Sequence, residues 1–147
     1  MSATAHPTHS MPAAVSRVLH GALAGIGGGL AFGILMTMMG MLPMVAMLVG
    51  SDSAAVGAVV HLAISALLGA GFGLVVPFTR FWALLGAGVA YGVIWWVLGG
   101  LLLMPGGLGM PVLQMSPSAM QSLIGHLIYG IVTALIFYGF RRRANHS

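Results

Sequence analysis

Four stretches of this chain, residues 18–39, 54–76, 82–103 and 119–140, are almost wholly apolar and contain no Asp, Glu, Lys or Arg. A helix needs about 20 apolar residues to cross the ~30 Å hydrocarbon core of a bilayer, where every backbone polar group has to be satisfied internally. Each stretch is long enough. Strands of soluble proteins seldom exceed about ten residues, and outer-membrane barrel strands alternate in polarity, so neither alternative accommodates such runs. The expected fold is therefore all-α, an up-down-up-down four-helix transmembrane bundle over residues 18–140. A polar, proline-bearing tail over residues 1–17 reads as disordered, and residues 141–147 form a short basic tail.

Charge orients the bundle. The 147 residues are 59% hydrophobic and 4% charged, far from a soluble balance, and the charges are five arginines against the single acid Asp52. Arg17 precedes span one, Arg80 lies between spans two and three, and Arg141, Arg142 and Arg143 follow span four. All five then share one face, which the positive-inside tendency makes cytoplasmic, with Asp52 in an opposite loop. Trp82 stands where an interfacial anchor belongs. The first span is too long for a cleavable signal and reads as a retained helix. The high isoelectric point reflects scarcity of charge rather than a basic patch, so the expected partners are the lipid bilayer and other membrane subunits, not nucleic acid. With no cysteine, disulfides, thiolate metal sites and thiol nucleophiles are excluded.

Shifting the sequence by 65 residues aligns 17–75 with 82–140 without a gap and gives 12 identities in 59 positions, among them Gly21 with Gly86, Gly27 with Gly92, His61 with His126 and Phe72 with Phe137. This pattern predicts two tandem helix hairpins related by a pseudo-twofold axis along the membrane normal. Ser53 and Ser118 then start spans two and four, Ser118 with Gln121 having the spacing of a capping box. Eight residues on, at ~12 Å of helical rise, each span presents one histidine, so His61 and His126 are expected at the same depth in the outer half of the bilayer.

An ionisable side chain inside a span is by default a functional hypothesis. One reading is that each histidine simply bonds a backbone carbonyl or a water. A second uses their place on diagonal helices, whose axes are about 11–14 Å apart when neighbours are 8–10 Å apart. That gap suits two imidazoles with a metal between them. The arrangement resembles, by spacing only, the bis-histidine haem sites of membrane b-type cytochromes, with Gly33, Gly99 and Gly100 making room beside a haem b held by His61 and His126. A third reading uses methionine, whose soft thioether suits Cu(I). Met36, Met38, Met39, Met41, Met44 and Met47 crowd the outer end of the first hairpin, so His61 and His126 with Met38, Met41 and Met44 form a candidate copper set. Met104, Met110, Met115 and Met120 mirror them in the second hairpin. Methionine is equally a flexible filler of apolar packing.

Glycines four residues apart, Gly21, Gly25, Gly29 and Gly33 above all, read as surfaces for close helix packing. Catalysis finds no support: no carboxylate pair exists, and Ser65, one turn from His61, has no acid behind it to orient a base. The outer loops, residues 40–53 and 104–118, are methionine-rich and nearly uncharged, which sets them against the membrane surface or a partner. Pro43, Pro105, Pro111 and Pro117 argue against continuous helix through them.

Glycine-rich spans, Met-Pro outer loops and the segment Gly-His-Leu-Ile-Tyr-Gly at 125–130 resemble small, uncharacterised four-span proteins of bacterial inner membranes. The resemblance implies an inner-membrane location and no known activity. Three roles follow: a non-catalytic accessory subunit packing in a larger membrane complex of redox or respiratory type, a haem-binding electron-transfer protein, or a copper-binding or copper-handling protein. Reporters fused after Ser147 and within residues 3–10 should both report cytoplasm. Removing all five arginines should disturb orientation more than reversing Arg141 to Arg143 alone, and an external signal from either end would rule out the four-span arrangement.

Overall fold

The computed structural model describes residues 11–146. Four helices in it are long and apolar enough to cross a membrane, with mean hydropathy of 1.7, 2.1, 1.8 and 1.8 in chain order. The protein is an all-α, multi-pass membrane protein. Helix α1 covers Ala13–Met38, the short α2 Leu42–Met47, α3 Ala54–Val75, α4 Phe81–Trp95, α5 Met104–Gly107 and α6 Pro117–Ala144. Residues Trp96–Leu103 join α4 to α5 as a π-helical stretch, so the third span runs unbroken from Phe81 to Gly107.

The helices overrun the expected spans at several ends. Hydropathy marks only the hydrocarbon depth, while helix continues to wherever a cap or a proline stops it. The segment 13–17, expected in the tail, is the first turn of α1; the expectation for residues 1–10 lies outside the described residues. At the start of α6 the cap is Ser116, whose hydroxyl accepts from the Ala119 N–H at 3.1 Å, rather than Ser118. Pro117 explains the difference. It fits the first turn of a helix, where its missing N–H is no loss, and this starts the helix two residues earlier. His61 is thus eight residues from its capping Ser53 and His126 ten from Ser116.

Pro105 does not end span three, contrary to the sequence expectation. Proline has no N–H for the carbonyl four residues back, that of Leu101. The N–H of Leu113 takes its place, bonding Leu101 O at 2.7 Å, with Leu113 held at φ 57°. The widened turn over Gly99 and Gly100 lets the chain pass the proline without breaking.

Packing is carried by glycine. A methyl at Gly21 would meet the Gly69 carbonyl, one at Gly25 the Ser65 carbonyl and one at Gly69 the Gly21 carbonyl, so α1 and α3 touch backbone to backbone. On the other side, Gly88 of α4 lies against the Gly130 carbonyl of α6, and Gly92 against that of His126. Helix α1 also packs along α6, and α3 meets α4 through side chains, chiefly Tyr91 on Phe72. Between α1 and α3, α2 folds onto α3 with Leu42, Val45 and Ala46 buried, and Gly57 admits the Leu42 carbonyl.

The 65-residue correspondence does not extend to these contacts. Gly21 is wedged against α3, whereas its counterpart Gly86 has open space. Gly27 faces Ile136, whereas Gly92 faces His126. Phe72 and Phe137 do meet, edge to face at 5.8 Å and both fully buried. These environments predict opposite outcomes for one substitution: Gly69→Ala should cost about 1–3 kcal/mol or more by forcing α1 and α3 apart, while Gly86→Ala should stay within about 0.5 kcal/mol. Unfolding in detergent measures both, and equal effects would remove the backbone contact from the account.

Candidate functional site: a histidine pair around Phe32

Toward the end of the bundle away from the arginines, α1, α3 and α6 meet through side chains around Phe32. This buried ring of α1 lies 5.3 Å from the His61 imidazole and 4.9 Å from that of His126, centroid to centroid. The two histidines are therefore brought to one level, packed against the same ring. Gly125 lets the Phe32 ring sit directly on the α6 backbone, and Gly33 leaves room for the His61 ring. Gly100, in the π-helical stretch, faces the Cε1 of His126 and the Ser122 hydroxyl.

Each imidazole spends one nitrogen on a backbone carbonyl. His61 Nε2 lies 2.9 Å from Gly29 O across the helix interface, and His126 Nδ1 lies 2.8 Å from Ser122 O in its own helix. A carbonyl only accepts, so both nitrogens carry the proton, and this fixes the tautomers. His61 Nδ1 and His126 Nε2 keep their lone pairs, and neither lone pair has a protein donor among the described residues. The fully enclosed polar atoms without a partner there are Trp95 Nε1 and Thr133 Oγ1, so the two lone pairs are not sealed in.

Other polar groups of the interior are clamps. Ser65 donates its hydroxyl to the His61 carbonyl at 2.7 Å, turned away from any role beside the imidazole. Tyr129 donates to Ser65 O at 2.7 Å, tying α6 to α3, and Tyr91 donates to Leu68 O at 2.6 Å, tying α4 to α3. The Trp96 indole donates to Ala119 O at 2.9 Å. At the arginine end, the Arg17 guanidinium donates to the carbonyls of Gly73, Leu74 and Val76, each at 2.9 Å, and so caps the C-terminus of α3.

The methionine set is only partly gathered. Met38 is 80% exposed and points away from the bundle. Helical geometry explains it: Met36 follows Phe32 by four residues and shares its face, while Met38 lies half a turn off. Met36 is buried in the cluster around Phe32, with Met41 and Met104 packed against it. Met44 is half-buried on α2. No group of three or more His, Asp or Glu side chains converges among the described residues.

A haem does not fit between these imidazoles. Two imidazoles ligating one iron at about 2 Å have ring centroids roughly 6 Å apart. A Phe32 ring about 5 Å from both then lies within about 4 Å of the iron, in the plane the porphyrin would fill. A single ion leaves Phe32 where it is. The sequence identified the two histidines but missed Phe32, Tyr91, Tyr129 and Arg17. A buried tyrosine needs a partner for its hydroxyl, which was the available signal for two of them.

Comparison with known protein families, curated proteins and solved structures finds no match. Among the clamps, Tyr129 is the cleanest to test. Tyr129→Phe removes only the bond to Ser65 and should lower stability by roughly 0.6–1.7 kcal/mol, the range for hydrogen bonds inside membranes; an unchanged unfolding midpoint would show that the hydroxyl does not hold α6 to α3.

Proposed function

We propose that this protein is a non-catalytic accessory subunit that packs laterally in a larger complex of the inner membrane, with both ends in the cytoplasm. The observation carrying this reading is the outer loop between α5 and α6. Its Met110, Val112, Leu113 and Met115 point outward, Leu113 at 56% and Met115 at 70% exposure, and the segment holds no charge. Apolar side chains on the hydrocarbon-facing helices need only lipid. Those on a loop past the end of α5 stand at the polar surface, where exposed apolar clusters mark interaction sites.

The backbone supports the same reading. Leu113 is held in the left-handed region by its bond to Leu101, a conformation that costs a non-glycine residue free energy and persists only where surroundings fix it. The loop is thus presented rather than loose. The other loop, by contrast, folds α2 onto its own bundle. The tyrosine hydroxyls and the Arg17 guanidinium inside the bundle are engaged with carbonyls, which suits a scaffold that holds shape.

A redox or respiratory-type complex is the class proposed for the partner, since such assemblies surround their catalytic chains with small apolar subunits. A photo-crosslinking residue at position 113 or 115 should give one discrete adduct of fixed stoichiometry in native membranes, while the same residue at the lipid-facing position 67 should label lipid. Identical labelling from the loop and from position 67 would overturn the docking role.

A further inference from the structure

Two lone pairs at one level of an apolar bundle, each on an imidazole whose other nitrogen is already committed, are unexplained by the scaffold role. We infer that His61 Nδ1 and His126 Nε2 form a binding site for one monovalent soft metal ion, Cu(I), beside Phe32. The inference goes beyond the accessory role and does not depend on it.

The tautomers are those a metal-binding histidine adopts. Ligating histidines characteristically donate their second ring nitrogen to a carbonyl or carboxylate, which orients the ring and raises the basicity of the free nitrogen. Both imidazoles do so here, through Gly29 O at 2.9 Å and Ser122 O at 2.8 Å. With both rings near 5 Å from Phe32, their centroids are at most about 10 Å apart. A shared ion requires roughly 6 Å, a separation these contacts allow with Phe32 kept in place. The π-helical stretch faces His126 through Gly100, which adds no side chain of its own beside the imidazole Cε1.

Charge selects the ion. Asp52, the only acid, is exposed at the outer end, and no thiolate exists, so nothing anionic in the interior offsets the charge of a bound ion. The solvation lost on burial rises with the square of the charge, making a divalent ion roughly four times as costly as a monovalent one by Born reasoning. Structural zinc also requires four ligands, and two nitrogens do not supply them. Cu(I) is satisfied by few, soft donors. The nearby thioethers belong to Met36, which shares the buried cluster with Phe32, and to Met41 and Met104 at its outer edge. Met38, exposed on the outside, takes no part.

The test separates a ligand from a structural donor. In His61→Gln the side-chain amide reproduces the Nε2–H bond to Gly29, and in His126→Asn it reproduces the Nδ1–H bond to Ser122; both delete the free imidazole nitrogen. Purified protein in detergent, without partners, is titrated anaerobically with Cu(I) against a chromophoric chelator, alongside thermal unfolding of each variant. The expected result is one Cu(I) per wild-type chain, at least a tenfold loss of affinity in either variant and a larger loss in both together, with unfolding midpoints close to wild type. X-ray absorption should show two nitrogen ligands near 2.0 Å. Absence of stoichiometric uptake by wild type, or uptake unchanged in the double variant, would overturn the site. Met36→Leu should weaken binding less than either histidine change. Because no partner is present, failure here leaves the docking proposal intact, and failure of crosslinking leaves this one.

Discussion

Backbone contact along Gly21 and Gly25 of α1 is the constraint on which the rest of the bundle depends. In lipid no hydrophobic force drives one helix against another, because the tails are as apolar as the side chains, so association needs close van der Waals contact and interhelical hydrogen bonds. Glycine provides the first by letting backbones meet, at Gly21 and Gly69 and at Gly88 and Gly130. Closeness then makes the second possible. The His61 ring reaches Gly29 O only because α3 lies against α1 at that level, and Arg17 reaches three carbonyls at the end of α3 for the same reason.

Those hydrogen bonds share a form. Tyr91, Tyr129, Trp96, Ser65 and Arg17 all donate to carbonyls of helices, mostly carbonyls whose first lone pair the helix itself already uses. A carbonyl has two lone pairs, so a helix can hold a neighbour without opening its own ladder. Donors thus find partners without any acidic residue, which is how a chain with one exposed aspartate builds a polar interior. Acceptors are not served equally. Donors with carbonyl partners dominate, and the imidazole lone pairs are left over.

The fold was legible because span length and charge-free composition are properties of single segments. The spans at 54–76 and 82–103 match α3 and the core of the third span closely, and the arginines fall together at the end where Arg17 caps α3. Contacts between segments were less legible. His61 and His126 stand out as lone ionisable residues, yet Phe32 is one apolar residue among many, and only its seat on Gly125 and its contacts with both imidazoles show that it belongs with them. The cap at Ser116 in place of Ser118 turned on Pro117, and the passage through Pro105 turned on an N–H eight residues further along the chain, from Leu113. The 65-residue periodicity, read from identities, did not foresee that α4 would use Gly88 and Gly92 where α1 uses Gly21 and Gly25, because helix rotation decides which glycine faces the partner.

The molecule consequently divides along its axis into halves of different character. From the arginine end to Gly25 and Gly92 the pairs α1–α3 and α4–α6 meet backbone to backbone at Gly21, Gly25, Gly88 and Gly92, where even a methyl group is excluded. Beyond that level the contacts pass to Phe32, Met36 and the two histidines, the third helix loosens into a π-helical stretch, and a left-handed Leu113 holds the loop. Unbranched thioethers repack at little cost, and a π-helical stretch relaxes the fixed register of its neighbours. The histidine pair stands at the boundary between the two halves, with the glycine contacts on the arginine side and unbranched side chains on the other. A site placed lower would have no room for an ion, and one placed higher would lack the close helix approach that positions His61 against Gly29.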